Sequence, residues 1–350
     1  MASPARPKAT AAIREFDLIR TLQERHGAAG GSILRGIGDD AAVIVPTKNY
    51  WQLLTTDLLT EGVHFDFRTA RYSDIGFRAA VANLSDIAAM GGAAQYMLVS
   101  VAIPRTGTSR QVRQLYEGMM AACRPHKVRL IGGDTSASTA GWFINITMIG
   151  SVTPHRALFR SGAKVGDDLY VTGTLGDSLA GLELLKQVHR KTTTLSLTPS
   201  HRRFLMRRHL RPTARIAEGQ WLSKHSWATS AIDVSDGLSG DLRHLCEESR
   251  VGAEIDLSAL PLSPACRAYG GLTGQDPMAL ALQGGEDYEL LFTVSSRQRK
   301  GFERMASSHR FHVTRIGRIR PARSGISGIS LDGQRNPLPV TSYEHFRSAY

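Results

Sequence analysis

Carboxylates recur in this sequence just after a backbone turn or at the end of an apolar run, and that placement suits a cation site. The first instance is Gly36-Ile37-Gly38-Asp39-Asp40, followed by the apolar Ala41 to Val45. The second is Trp51-Gln52-Leu53-Leu54-Thr55-Thr56-Asp57, a β-type run that ends in two hydroxyls and a carboxylate. The third is Asp86, on a segment from Ser73 to Gly92 whose Phe77, Val81, Leu84 and Ala88 mark one helical face. Further on come Gly132-Gly133-Asp134, Asp233-Val234-Ser235-Asp236-Gly237 and Gly284-Gly285-Glu286-Asp287. Any one of these acids alone reads as a solvated cap or loop residue. If Asp40, Asp57, Asp86, Asp134, Asp233 and Asp236 converge, each pair at about 6 Å repels by roughly 3 kcal/mol at a dielectric near 20. Divalent cations relieve that repulsion, and carboxylate and hydroxyl oxygens are hard ligands suited to Mg²⁺.

The elements that must carry these residues alternate along the chain. A helix over Glu15 to Arg25 precedes the first acidic turn. Ser73 is the expected N-cap of the Asp86 helix, and Gly91-Gly92 is its stop. Strands are expected at Tyr96 to Ile103, Val128 to Ile131 and Phe143 to Gly150, with a helix over Ser109 to His126. The link from Ser151 to Gly166 carries Pro154, Gly162 and Gly166 and reads as a domain connection. Strands and helices alternate again beyond it: Leu169 to Thr172, Asp177 to Val188, Thr213 to Ser223, Ser230 to Val234, Gly237 to Arg250, Ala253 to Leu257, Pro277 to Gln283, Tyr288 to Val294 and Phe311 to Ile319. The expected architecture is a two-domain α+β or α/β protein. Its parts are a frayed extension over 1–14, a first domain over 15–151 and an α/β second domain over 152–350.

With 350 residues, 42% hydrophobic and 21% charged, the chain reads as an ordinary globular protein. No apolar run approaches the roughly 18 residues that span a bilayer. Cys123, Cys246 and Cys266 are widely spaced, so neither a disulfide framework nor a thiolate zinc site is indicated and a reducing cytoplasm is the expected compartment. The net charge of +12, with a basic stretch over Lys186 to Arg211, leaves a nucleic-acid partner open as an alternative. Phe204 is the one Phe, Tyr or Trp among those charges, which is not the series of stacking residues that a single-strand binder needs, so a solvated basic helix pair is the expectation and no specific nucleic acid is expected. The P-loop, the dinucleotide glycine fingerprint, the protein-kinase signatures and H-E-x-x-H are all absent.

The motifs together resemble the thiamine-monophosphate kinases, in the superfamily of aminoimidazole ribonucleotide synthetase and selenophosphate synthetase. The residues that carry the resemblance are Gly36 to Ala42, Thr55-Thr56-Asp57 with Gly62-Val63-His64-Phe65, Ala82 to Gly91, Gly132 to Thr135, Asp233 to Leu238 and Gly284 to Leu290. The resemblance implies ATP-dependent phosphorylation of thiamine monophosphate in a homodimer whose N-terminal mixed sheets pair, a sister ATP-dependent synthetase being the alternative. It implies that Asp40, Thr55, Thr56, Asp57, Asp86, Asp134, Asp233 and Asp236 hold several Mg²⁺ ions. It puts Tyr116, Gly133, Asp134, Arg160 and Ser235 on the nucleotide, and His64, Glu286 and Tyr343 on the thiamine phosphate. The acceptor phosphate has a second pKa near 6 and is already anionic at pH 7, so no catalytic general base is expected.

Overall fold

The computed structural model describes residues 20, 23–24, 31–46, 49–190, 195–330 and 332–338. The expected extension over 1–14, most of the Glu15 to Arg25 helix and Tyr343 lie outside the described residues. In the first half, β1 (Ile33–Arg35) and β2 (Ala42–Ile44) flank the first acidic turn. They are followed by β3 (Trp51–Thr60), α1 (Tyr72–Ala89), β4 (Ala93–Pro104), α2 (Ser109–Cys123), β5 (Arg129–Ser138) and β6 (Phe143–Val152). The sheet order is β1-β2-β3-β6-β4-β5, and only the β4–β5 pairing within it is parallel. β6 alternates buried and half-buried residues along its whole length, as a strand with one covered face must.

The cover is α1, buried on most of its circumference by the sheet, by α2 and by elements of the second half. It meets α2 almost backbone to backbone, since a Cβ on Gly76 would sit 1.9 Å from the Leu115 carbonyl and one on Gly118 1.9 Å from that of Ser73. Val81, Leu84 and Ala88 are buried as the periodicity requires. The cap is different from expectation: the helix begins at Tyr72 after Arg71, which makes no side-chain capping bond, so Ser73 is already inside the first turn. The strand expected to end before Gly132-Gly133-Asp134 instead runs through that motif, as the exposed edge strand β5.

The second half comprises β7 (Asp168–Thr172), α3 (Asp177–His189), α4 (Pro199–Leu210), α5 (Ile216–Lys224), β8 (Ala228–Val234), α6 (Leu238–Ser249) and β9 (Val251–Asp256). It continues with α7 (Pro264–Thr273), α8 (Pro277–Gln283), β10 (Glu289–Val294), α9 (Arg299–Ser308), β11 (Val313–Pro321), β12 (Ile326–Ile329) and β13 (Arg335–Pro337). Its sheet order is β13-β12-β9-β11-β7-β10-β8, parallel only between β12 and β9. The two-domain mixed architecture is the expected one, but the second half, expected as α/β, is α+β, because its strands pair antiparallel except between β12 and β9.

β7 and β10 lie inside the second sheet and are buried on both faces. Leu169, Val171 and Leu291 face a core shared with α6. Tyr170, Leu290 and Phe292 face the other way, into the core that also holds Ile87 of α1 and Met97 and Val99 of β4. One continuous apolar layer therefore joins the two halves, with α1 in its middle.

Candidate active site between the two sheets

Three acids from three distant parts of the chain meet at the edge of that shared layer. Asp40 comes from the turn before β2, Asp86 from the last turns of α1 and Asp233 from the end of β8, and one oxygen of each lies within 4.8 Å of the others. The Thr55 hydroxyl, from β3, donates to Asp86 Oδ2. Asp57 follows on the same face of β3, because alternate strand residues share a face.

The electrostatics are those of crowded anions. Burial, with the charges of Asp57, Asp233 and Asp40, pushes the Asp86 carboxyl well above its ordinary value. Burial and then Asp40 push Asp233 up to about 8, and burial and then Asp236 push Asp57 up to about 6. One side chain opposes the crowding: Arg160 donates from Nε at 3.2 Å and from Nη2 at 2.6 Å to a single oxygen of Asp40. Burial works against the guanidinium's charge, but Asp40, Asp39 and Asp233 hold its pKa above the usual value. The remaining oxygens, Asp40 Oδ2 and Asp233 Oδ2, are buried without a hydrogen-bond partner. Buried carboxylate oxygens left unpaired, beside a guanidinium whose hydrogen bonds go to Asp40, fit a site for added divalent cations.

Not every expected residue joins this cluster. Thr56 is the strand neighbour of Thr55 and faces the other side of the sheet, where its hydroxyl lies 3.1 Å from the Thr147 hydroxyl. Asp134 is opposite the exposed Ser100 in the β4–β5 register, on that same outer face, and its carboxylate accepts from the Thr135 amide at 2.8 Å. Gly133 is held by a close approach, since a Cβ there would sit 1.9 Å from the Val99 carbonyl. Tyr116, on α2, is half-buried against the shared core.

Ser235 and Glu286 are neighbours, because β8 pairs with β10 with Val234 opposite Glu289, and the Glu286 amide donates to the Ser235 carbonyl at 2.8 Å. The Glu286 carboxylate lies 3.4 Å from Arg78 Nη1 and 3.5 Å from His209 Nδ1. Arg78 is only 2% exposed and also donates to the His64 carbonyl, while His64 Nδ1 accepts from the Thr60 amide at 3.0 Å. His64, Arg78 and Glu286 thus form a second group beside the acids. Buried Tyr288 is within electrostatic reach of Glu286 and Arg78 as well as of Asp57 and Asp233.

The sequence profile for the N-terminal domain of AIR synthase related proteins matches residues 38–152, and that for the C-terminal domain matches 164–329. The thiamine-monophosphate kinase of Bacillus subtilis is 34% identical over 335 residues, covering 95% of this chain and 99% of the relative. That of Escherichia coli K12 is 35% identical over 334 residues, covering 95% and 98%. The chain belongs to the thiamine-monophosphate kinase family. Among solved structures, AaThiL complexed with AMPPCP and TMP superposes with a TM-score of 0.82 at 35% identity, covering 95% of this chain and 97% of that one.

Several residues of this candidate site escape the motif reading. Asp241 is buried and accepts from the amides of Asp236 at 3.2 Å and Gly237 at 3.1 Å, which fixes the turn that presents Asp236. Asp39 accepts from the Arg160 amide at 3.2 Å and pairs with Arg35 at 2.9 Å, so the first of the paired acids orients the loop that brings Arg160 in. Asp287 accepts from the amides of Gly176 at 2.6 Å and Ser178 at 3.1 Å at the start of α3. Glu289 binds Arg215 and Arg208. The last two acids of Glu286-Asp287-Tyr288-Glu289 are therefore anchors, whereas Glu286 reaches the group formed with Arg78 and His209.

Proposed function

We propose that this chain transfers the γ-phosphoryl group of ATP to thiamine monophosphate, giving thiamine diphosphate and ADP. The observation that carries the reading is the convergence of Asp40, Asp86 and Asp233, with orphaned oxygens and Arg160 beside them, in a member of this family. Mg²⁺ is part of the proposal: when bound it neutralises phosphate charge and lets two anions approach. Asp40, Thr55, Asp57, Asp86, Asp233 and Asp236 are the residues of this chain that would hold it.

Arg160 suits the nucleotide phosphates, because a guanidinium can grip two phosphate oxygens at once. Ser235 stands next to it in role. His64 and Glu286 belong to the acceptor side. The acceptor's phosphate is already anionic at neutral pH, so positioning and charge neutralisation replace a general base.

The proposed assembly is a homodimer. Support comes from β5, an edge strand with Leu130 and Ile131 exposed, adjoining the outer sheet face that bears Thr56, Leu58 and Asp134. An exposed edge of this kind is a template for pairing with a second copy. Gly133, Asp134, Thr56 and Tyr116 enter the proposed site as contributors near that seam. No helix among the described residues is long and apolar enough to cross a membrane, and the three cysteines are buried and unpaired. A cytoplasmic location accompanies the proposal.

The test is direct: incubation with ATP, Mg²⁺ and thiamine monophosphate, followed by chromatography of the products. Equimolar thiamine diphosphate and ADP are expected. Recovery of unchanged thiamine monophosphate from a correctly folded, nucleotide-binding preparation would reject the assignment.

A further inference from the structure

A cavity of about 310 Å³ opens between the 62–70 segment and α3, and its walls include His64, Arg68, Arg78, Lys186, Arg190 and His209. Its volume falls at the lower end for small-molecule sites, about 300 to 1,000 Å³. The acid on its lining is Asp66, already paired with Arg68 at 2.5 Å. Lys186 reaches Glu183 at 2.9 Å, and Glu183 is outside the lining. Arg78 forms the floor; it is 2% exposed, Glu286, which is outside the lining, lies 3.4 Å from its Nη1, and its Nε is buried without a hydrogen-bond partner, so the charge offered to a ligand comes chiefly from Lys186 and Arg190 at the entrance. His209 stays neutral, because burial and the neighbouring Arg78 and Lys186 hold its pKa well below the ordinary value.

The chemistry of this lining is opposite to that required by an organic cation. A thiazolium ring carries a fixed positive charge and would meet Arg68, Lys186 and Arg190 in the cavity. A small dianion would meet complementary charge and planar donors that can bind two of its oxygens. The cavity is thus mismatched to the organic part of the proposed acceptor, although it shares the His64 and Arg78 wall with that side of the site.

We propose that this cavity is a separate binding site for a small phosphoryl-bearing anion, of which inorganic phosphate and pyrophosphate are the minimal members. Lys186 and Arg190, on the end of α3, supply the entrance charge, and Arg78 supplies the floor. The site goes beyond the phosphoryl-transfer reaction, and it rests on the kinase reading only in treating the acceptor as a neighbour.

Calorimetric titration of the full chain with phosphate, and separately with pyrophosphate, in phosphate-free buffer without Mg²⁺ or nucleotide tests the proposal. Without cations the acid cluster repels such ligands, so the heat reports on the cavity. Saturable binding is expected, weakening as salt is raised. The double variant Lys186→Gln/Arg190→Gln should lose affinity at least about tenfold while keeping the wild-type circular dichroism spectrum and KM for thiamine monophosphate. Equal affinity in wild type and variant, or no binding to either, overturns the proposal. A KM for thiamine monophosphate raised by the same factor in the variant also overturns it, by assigning the cavity to the acceptor. Product formation by the wild-type chain is measured in the same buffer, so a failure of the kinase reading shows up separately.

Discussion

Arg160 places both of its bonding nitrogens on one oxygen of Asp40 and leaves the other oxygen of that carboxylate buried and unpaired. The pair is half of a coordination sphere: the protein cation steadies one side of the acid, and the other side is open to an added ion. Removing one partner of such a buried pair typically costs about 3 kcal/mol or more.

Arg160→Met should therefore lower the melting temperature of the metal-free protein markedly, and Mg²⁺ with nucleotide should restore a larger part of it than in wild type. Thermal melts in chelator and in Mg²⁺ with a nonhydrolysable ATP analogue check this. A variant that melts with the wild type in chelator would show that Arg160 is not the counter-ion of the cluster.

Asp86→Asn and Asp57→Asn act in the reverse sense. Each removes a charge from a set of acids whose neighbours already push their pKa values up. The melting temperature should hold or rise while turnover falls at least about a hundredfold, because transition-state charge loses its support. Near-normal turnover at low Mg²⁺ in either variant is the outcome that sinks the cation-site assignment.

Glu286→Gln should raise the KM for thiamine monophosphate about ten- to a hundredfold and leave that for ATP nearly unchanged, on the scale of a lost charge-assisted hydrogen bond of about 1.5 to 3 kcal/mol. The structure adds a second expectation, a lower melting temperature, because Arg78 loses its acid partner. Steady-state kinetics for each substrate decide the matter, and equal effects on both KM values would take Glu286 off the acceptor side.

Two histidines set the acid limb of stability. Burial, then Arg160 and Arg243, lower His244 from 6.5 to about 4, and burial with Arg78 and Lys186 holds His209 well below its ordinary value. A histidine kept neutral in the fold but free to charge when unfolded stabilises the protein above pH 6.5 and loses that contribution as pH falls toward 4, since the unfolded chain then binds more protons. The crowded aspartates titrate with the opposite sign, so the comparison to make is wild type against His244→Gln. The variant should lose less stability than wild type between pH 6.5 and 4.5 in denaturant titrations; parallel curves would refute the shift.

The basic stretch divides by burial. Arg208→Ala strips a shared cation from Asp177, Asp287 and Glu289 and should cost about 3 to 5 kcal/mol. Arg203→Ala, on an exposed position of the same helix, should stay within about 0.5 kcal/mol. Urea unfolding of the two variants measures the difference, and equal costs would contradict the ion network.

What could be read from the sequence depended on how far a residue's partners lay along the chain. Strands such as Phe143–Val152 and Glu289–Val294 announce themselves by apolar runs, and Pro277–Gln283 by its flanking proline and glycine pair. Asp40, Asp86 and Asp233 were legible because each follows its own local signal. The separation of Thr55 from Thr56 was available in principle, since adjacent strand residues point to opposite faces. Nothing local marks the Gly132-Gly133-Asp134 segment as part of an edge strand, because a glycine-rich run with no covered face lacks the alternation that betrays a strand. Arg78 is the one basic residue on α1, and no neighbouring motif marks it. Its partners, His209 and Glu286, are set by tertiary packing and could not be inferred from its neighbours.

Tyr170, Leu290 and Phe292 belong to the same apolar layer as the residues of α1 that surround Asp86. Swinging one half of the molecule away from the other would expose that layer to water, and the price would be the removal of a core rather than the parting of two wet surfaces. The chain is accordingly built as a single block with a site cut into its rim, not as a pair of jaws. The spacing of Asp40, Asp86 and Asp233 is thereby tied to the core of that block.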